Sequence, residues 1–362
     1  MPCTMNRRVA LGFRRTLAEV GDPTEKGCSA VPRTDSPAPP EPTPAAATPA
    51  ARRPLLRWAV RLVPILLLSA AAWVLWREFH ELSLGDLHHA MTAWTWPTLA
   101  AALLFSVASF FLMGMVEWFG LRWSGATPPF GAAVAVSFVA NAVAHSLGAN
   151  LLVSGALRAR LYERYGVNLA QVAATTLFGG VSYAVGLAAL SGGGLLLADR
   201  HDLTATAIPV QVARMAGVAL VAGALAYNLT CALRRAPFKA FGQSLTLPSL
   251  RDALAQTAIG VADNGIAAGI IWILLPRDGP DYATFVGAYA ISCVTGLLST
   301  VPAGAGVFES ALTTLLHSAS AAGLAAAFLG YRLLYYLLPL IVASLALAGD
   351  IAWRRPKADP AI

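Results

Sequence analysis

The chain has 362 residues, 57% of them hydrophobic and 12% charged, with a formal net charge of +7 and a mean hydropathy of +0.61. A soluble domain carries about twice that charge density, so a soluble globular protein is excluded, and long apolar blocks without period-2 alternation exclude a β-barrel. The positive charges stand in short loops beside apolar runs, where membrane orientation accounts for them, so nucleic acid is not an expected partner.

Residues 1–53 differ in material from the rest: TDSPAPPEPTPAAATPAARRP is rich in Pro and Ala and almost without large apolar side chains. Such a segment cannot bury enough surface to offset ordering and is expected to be a disordered cytoplasmic tail. MNRRVALGFRRTL within it is either an ordinary basic tail or a short amphipathic surface stretch, and it lacks the long apolar core of a secretory signal.

A transmembrane domain is expected over 54–355, followed by a cytoplasmic tail at 356–362. Full helical spans are predicted near 57–77, 96–120, 169–197, 208–233, 253–275 and 323–349, with two further apolar segments at 131–157 and 282–318. Loop charges set the orientation. Arg52, Arg53 and Arg57 precede the first span, and Arg122, Arg158, Arg160, Arg164, Arg234, Arg235 and Arg354 mark further inside loops. The acidic and His-bearing loops REFHELSLGDLHH, DRHD and PRDGPD fall outside, so both termini are expected in the cytoplasm.

The two remaining segments must therefore begin and end on one face each. Both are broken by glycine, at SLGANLLVSGAL (146–157) and VPAGAGVFESAL (301–312). Gly148 in the first, and Pro302, Gly304 and Gly306 in the second, are the expected helix breaks, because proline lacks an amide hydrogen and glycine releases backbone groups. Both segments are predicted to be re-entrant hairpins entering from opposite sides. The fold class is then an all-α polytopic membrane protein of about six full spans and two re-entrant hairpins. The halves 96–197 and 253–349 form an inverted repeat, an arrangement found in transporters. An offset of 156 aligns Gly148, Ala149 and Ser154 with Gly304, Ala305 and Ser310. The alternative is eight or more full spans, with 282–301 crossing completely.

Ionisable groups inside a membrane cost about 2.5–3.5 kcal/mol each, so each needs a reason. Glu309 lies one turn past the VPAGAG break, Arg332 opens the stretch RLLYY, His145 precedes the SLGAN break and Asp263 is mid-span in GVADNG. Glu309 and Arg332 are read as a structural ion pair, a ligand site or both, and His145 as a core imidazole or a site residue. Asp263 calls for a cation, a proton or a polar cavity. Asn141, Asn150 and Asn264 add polar groups, whereas Glu117 and Arg214 sit near span ends and are expected to snorkel to the interface. The half-helices after the two breaks would aim free amides at an anion. With Arg158 and Arg160 nearby, they would suit a phosphate-bearing headgroup.

These residues carry a family resemblance. NAVAHSLGANLLVSGALRARLYERYGV, with Arg158, Arg160, Tyr162 and Gly166, resembles the lysylphosphatidylglycerol synthase membrane regions. VPAGAGVFE resembles that family's Val-Pro-Gly-Gly-x-Gly-x-x-Glu signature, with Ala303 in place of a glycine. GYRLLYYLLP, with Arg332, Tyr335, Tyr336 and Pro339, resembles its arginine-and-tyrosine stretch. The resemblance covers about residues 55–355 and implies a flippase-like membrane domain in a bacterial inner membrane. Nothing after the last span would bind aminoacyl-tRNA, so aminoacyl transfer is not expected.

The expected function is translocation of a phospholipid or lipid-linked phosphate headgroup past Glu309, Arg332, His145 and Asp263, with Asn141, Asn150, Arg158, Arg160, Tyr162 and Tyr335 as further candidate substrate contacts. One alternative is an enzyme acting on a lipid-linked phosphate or sugar. Another is a non-catalytic membrane partner of a lipid-modifying synthase. The expected partners are an anionic or modified membrane phospholipid and such a synthase. The cysteines Cys3, Cys28, Cys231 and Cys293 have no metal-ligand spacing and no nucleotide motif is present, so no metal, cofactor or ATP hydrolysis is expected.

Overall fold

The computed structural model describes residues 85, 92, 94–147, 150–204, 209–234, 236–240, 243–276, 279–299, 306–316 and 320–353. The expected tails, the span at 57–77 and the break residues Gly148, Pro302 and Gly304 lie outside this set. The described elements are, in order, α1 (Trp96–Trp123), α2 (Phe130–Leu147), α3 (Asn150–Tyr162), a 3-10 turn (Glu163–Tyr165), α4 (Leu169–Leu197), α5 (Arg200–Thr204) and α6 (Val210–Leu233). A two-stranded antiparallel ribbon, β1 (Phe238–Ala240) and β2 (Gln243–Leu245), follows in the loop. Then come α7 (Leu250–Leu274), α8 (Tyr282–Leu298), α9 (Val307–Leu315), α10 (Ala321–Tyr331), a π-helical turn (Arg332–Leu337) and α11 (Leu338–Trp353).

Local chemistry explains where the long helices start. The Thr95, Asn168, Ser249 and Asp281 side chains each accept a hydrogen bond from an amide in the first turn, and Asn168 and Gln171 cap one another reciprocally. Five helices are long and apolar enough to cross a membrane: α1, α4, α6, α7 and the continuous stretch through α10, the π turn and α11. At 1.5 Å per residue α1 is about 42 Å long, beyond the roughly 30 Å hydrocarbon core. Leu104, Val107, Met215, Val218, Leu225 and Leu233 all stand more than half exposed, as side chains facing lipid would. α8 is buried from Thr284 through Ala290, as expected of a helix enclosed by protein.

The two broken segments are helical hairpins. Arg158 Nη2 on α3 donates to Asn141 Oδ1 on α2 at 3.2 Å across 17 residues of sequence, a distance of about 25 Å along one straight helix. On α9, Phe308 meets Tyr289 of α8 with ring centroids 5.7 Å apart. α3 therefore packs beside α2, and α9 beside α8, rather than continuing them.

Side-chain pairs also fix the helix directions. Trp94 donates to the Leu274 carbonyl at 3.0 Å, and Ser109 donates to Asp263, so α1 and α7 run antiparallel. Gln256 donates to the Phe178 carbonyl at 2.7 Å and Asn264 to that of Tyr183 at 3.3 Å, so α4 and α7 run parallel. Their crossing is tight: a Cβ on Gly260 would lie 2.2 Å from the Ser182 carbonyl oxygen, and one on Gly186 would lie 2.2 Å from the Gly260 backbone. Only glycine allows that approach.

Exchanging α1 with α7, α2 with α8, α3 with α9, and α4 with α10–α11 maps packed pairs onto packed pairs. The pair α1·α2 goes to α7·α8, α1·α4 to α7·α10, α3·α4 to α9·α10, and α4·α8 to α11·α2. The pair α1·α7 maps onto itself and so lies on the pseudo-two-fold axis. Because α1 and α7 run in opposite directions, the repeat is inverted. α6 packs against α4 and α7 at the side of this unit.

Candidate functional site

The anticipated polar residues fall into three clusters. The first joins α1, α2 and α3. Arg158 Nε donates to both oxygens of Glu117, at 2.8 and 2.9 Å, and Tyr162 donates to Glu117 Oε1 at 3.1 Å. Asn141 accepts from Arg158 and donates to Ser137 Oγ at 3.0 Å. Glu117 and Arg158 are 5% and 6% exposed, and Tyr162 is fully buried. The expectation that Glu117 snorkels to the interface is thus overturned: its counterion arrives from α3, and the pair is interior. Arg160 is exposed beside it. Asn150 opens α3, and its side chain lies outside the described set.

Arg214 departs from the same expectation. Its guanidinium donates to the carbonyls of Leu195 at 3.0 Å and Ala198 at 2.7 Å, and also to that of Leu196. These are the unpaired carbonyls at the C-terminus of α4, where a cation also complements the helix dipole.

The second cluster lies at the second break. Gly306 has φ +82°, a conformation glycine alone adopts readily, and α9 starts from it. Glu309 Oε2 accepts from the Gly306 amide at 2.9 Å. Its Oε1 accepts from Arg332 Nε at 3.0 Å and also from Arg332 Nη2. Arg332 also lies 5.8 Å from the centre of the Tyr336 ring. An internal carboxylate therefore occupies the anion position at this helix N-terminus. The Glu309 side chain keeps 14% of its surface accessible, against 6% for Arg332, so the pair is open on the glutamate side.

The third cluster lies where α1 crosses α7. Ser109 donates to Asp263 Oδ1, and the Ser109 and Tyr335 hydroxyls are 2.7 Å apart. Tyr335 stacks on Tyr331 at 5.1 Å and on His145 at 5.9 Å. His145 is enclosed by Phe110, Tyr335 and Tyr336, and its buried Nδ1 has no hydrogen-bond partner. It is therefore not the satisfied core imidazole that one sequence reading allowed. Ser109 was missed because a serine in an apolar run carries no signal by itself. Ser109 and Asp263 are each the fourteenth residue of their helices, which places both near mid-helix.

A cavity of about 460 Å³ lies elsewhere, lined by Phe105, Leu190, Gly269, Trp272 and Ile273 among others. Its walls are apolar and include none of the anticipated polar residues, so it has the chemistry of an acyl chain rather than of a headgroup. Among the described residues no three His, Cys, Asp or Glu side chains gather as a metal site.

Long apolar helices, packed hairpins and interior ion pairs define a polytopic, multi-pass membrane protein. Residues 61–343 match the lysylphosphatidylglycerol synthase TM region, and the chain belongs to that family. It is 32% identical over 256 residues to the uncharacterized protein slr0712 of Synechocystis, covering 69% of this chain and 79% of that protein. It is 35% identical over 133 residues to inner membrane protein YbhN of Escherichia coli, covering 36% of this chain and 42% of that protein.

Proposed function

We propose that this protein translocates the headgroup of an anionic phospholipid or lipid-linked phosphate across the inner membrane, with both termini in the cytoplasm. The observation that carries this reading is the Glu309–Arg332 pair at the Gly306 break. Arg332 and the first amides of α9 form an anion-binding arrangement that Glu309 fills in the absence of ligand. A headgroup phosphate would compete with Glu309 for the same donors, while the acyl chains stay among the exposed apolar faces. Displacing an internal carboxylate gives weak, reversible binding, which translocation needs. Family membership and the inner-membrane name of the Escherichia coli relative support the location and the lipid-facing role.

The test is headgroup accessibility in proteoliposomes of phosphatidylglycerol and phosphatidylethanolamine, read with a membrane-impermeant reagent against headgroup-labelled lipid. The wild type is expected to speed exchange between leaflets over protein-free vesicles. Arg332→Gln is expected to abolish that gain. Exchange at the protein-free rate for every anionic lipid tried would sink the proposal.

A further inference from the structure

We infer that Asp263, Ser109 and Tyr335 form an interior proton-binding site whose occupancy drives headgroup translocation. The inference rests on the translocation reading for what the proton drives, but the site itself rests on geometry alone.

Its position comes first. Ser109 and Asp263 are each the fourteenth residue of their helices, and the α1·α7 contact is the one that maps onto itself. The pair therefore marks the pseudo-two-fold axis at the middle of both helices. Coupling-ion sites of inverted-repeat transporters lie at such midplane repeat interfaces.

The chemistry of the pair is unusual for a membrane interior. Asp263 forms no ion pair with any described residue, and its side-chain bond is to Ser109. Among the described residues its carboxylate has one hydroxyl donor and no cation, although it can accept about four hydrogen bonds. Adding a proton removes the cost of the charge. The groups around it are named quickly. α1 presents Ser109 and the π turn presents Tyr335. Beyond Tyr335 stand His145 of α2 and Tyr331 of α10. Cys293 of α8 and Tyr183 of α4 complete the surround, interacting with each other and with Tyr335. α6 reaches α7 only two turns away, through Tyr227 at Gln256 and Asn228 at Thr257.

A hydroxyl has one proton to donate. While Asp263 is ionised, Ser109 gives its proton to Asp263, so the bond between the two hydroxyls must run from Tyr335 to Ser109. When a proton binds a carboxylate oxygen of Asp263, Asp263 becomes the donor to Ser109. Ser109 then turns its own proton toward Tyr335, and Tyr335 must send its proton elsewhere. The chain has two polarities, and one bound proton selects between them. No bond other than those to hydrogen changes.

Tyr335 transmits the change. It lies on the π-helical turn that begins at Arg332, the residue paired with Glu309. π turns interrupt the regular hydrogen-bond ladder and mark places where a helix shifts register. Reversing the bond obliges the Tyr335 hydroxyl to find a new acceptor, which re-aims the turn that holds Arg332 and so loosens the Glu309–Arg332 pair that a headgroup must open.

Two measurements on the full chain test this. Infrared difference spectra of nanodisc-embedded protein between high and low pH should show a protonated-carboxyl stretch in the wild type. The band should be missing in Asp263→Asn and shifted but present in Asp263→Glu. In proteoliposomes, a one-unit pH gradient should change wild-type headgroup translocation by up to about tenfold, and that of Asp263→Asn by less than about twofold, because one pH unit corresponds to about a tenfold ratio per coupled proton. Asp263→Asn should elute in detergent as a single peak at the wild-type volume, which shows that it has folded. Identical infrared bands in wild type and Asp263→Asn overturn the site. A wild type that exchanges lipid at one rate whatever the gradient overturns the coupling and leaves the translocation reading standing. An Asp263-dependent band in a protein that moves no lipid upholds the site and sinks the translocation reading instead.

Discussion

Replacing Arg158 with Leu removes the guanidinium that bridges α1, α2 and α3. Glu117, 5% exposed, then keeps a single donor, Tyr162 at 3.1 Å, and loses two charge-assisted bonds of 2.8 and 2.9 Å. Breaking one side of a buried ion pair costs about 3–5 kcal/mol, because the remaining charge has neither partner nor water. In a membrane protein the unfolded chain finds some replacement contacts, so the lower end, about 3 kcal/mol, is expected. Glu117→Met should cost a similar amount by stranding Arg158. The double variant should recover most of the loss, since two apolar side chains of similar volume fill the site without stranded charge. With about 3 kcal/mol lost in each single variant and about 1 kcal/mol in the double, the coupling energy across the cycle is then about 5 kcal/mol. The assay is equilibrium unfolding in mixed detergent–SDS micelles followed by tryptophan fluorescence. Single variants that cost less than about 1 kcal/mol, as solvent-exposed pairs do, would refute the interior placement of the pair.

Other consequences are simpler. Gly260→Ala places a Cβ 2.2 Å from the Ser182 carbonyl oxygen, a backbone atom that cannot rotate away, so it should destabilise by about 1–3 kcal/mol or more in the same unfolding assay. Gly155→Ala, on α3, meets nothing within 4 Å and should be neutral or stabilising by about 0.5–1 kcal/mol through helix propensity alone. Arg214→Leu uncaps α4 and should cost about 1.5–3 kcal/mol, with Arg214→Lys recovering part of it, because lysine reaches fewer carbonyls at once.

The spans were legible because a bilayer demands about 20 apolar residues, and such runs stand out in any chain. The segments expected at 96–120, 169–197, 208–233, 253–275 and 323–349 correspond to α1, α4, α6, α7 and α10–α11. The hairpins were legible from loop charge and glycine. The pairing of Glu117 was not. Its partner lies 41 residues away, and a carboxylate near the end of an apolar run looks the same whether it faces water or a distant arginine. Arg214 hid for the same reason, its acceptors being backbone carbonyls of another helix. The π turn also gave no sign, since RLLYYL holds neither proline nor glycine.

The backbone repeats, but the charges do not. Glu117 joins α1 to α3, whereas Glu309 joins α9 to the π turn, and exchanging the halves does not carry one pair onto the other. The first pair is closed, with Tyr162 and Asn141 filling its remaining hydrogen bonds and both charges under 7% exposed. The second sits on a glycine break beside an irregular turn and keeps its glutamate accessible. On the translocation reading, the closed pair belongs to the scaffold and the open pair to the headgroup path. The double variant Glu117→Met with Arg158→Leu should therefore fold and retain lipid exchange. Glu309→Met with Arg332→Leu, which equally strands no charge, should fold and lose it. Equal loss from both would show that the halves contribute alike, and equal retention would place the headgroup path away from either pair.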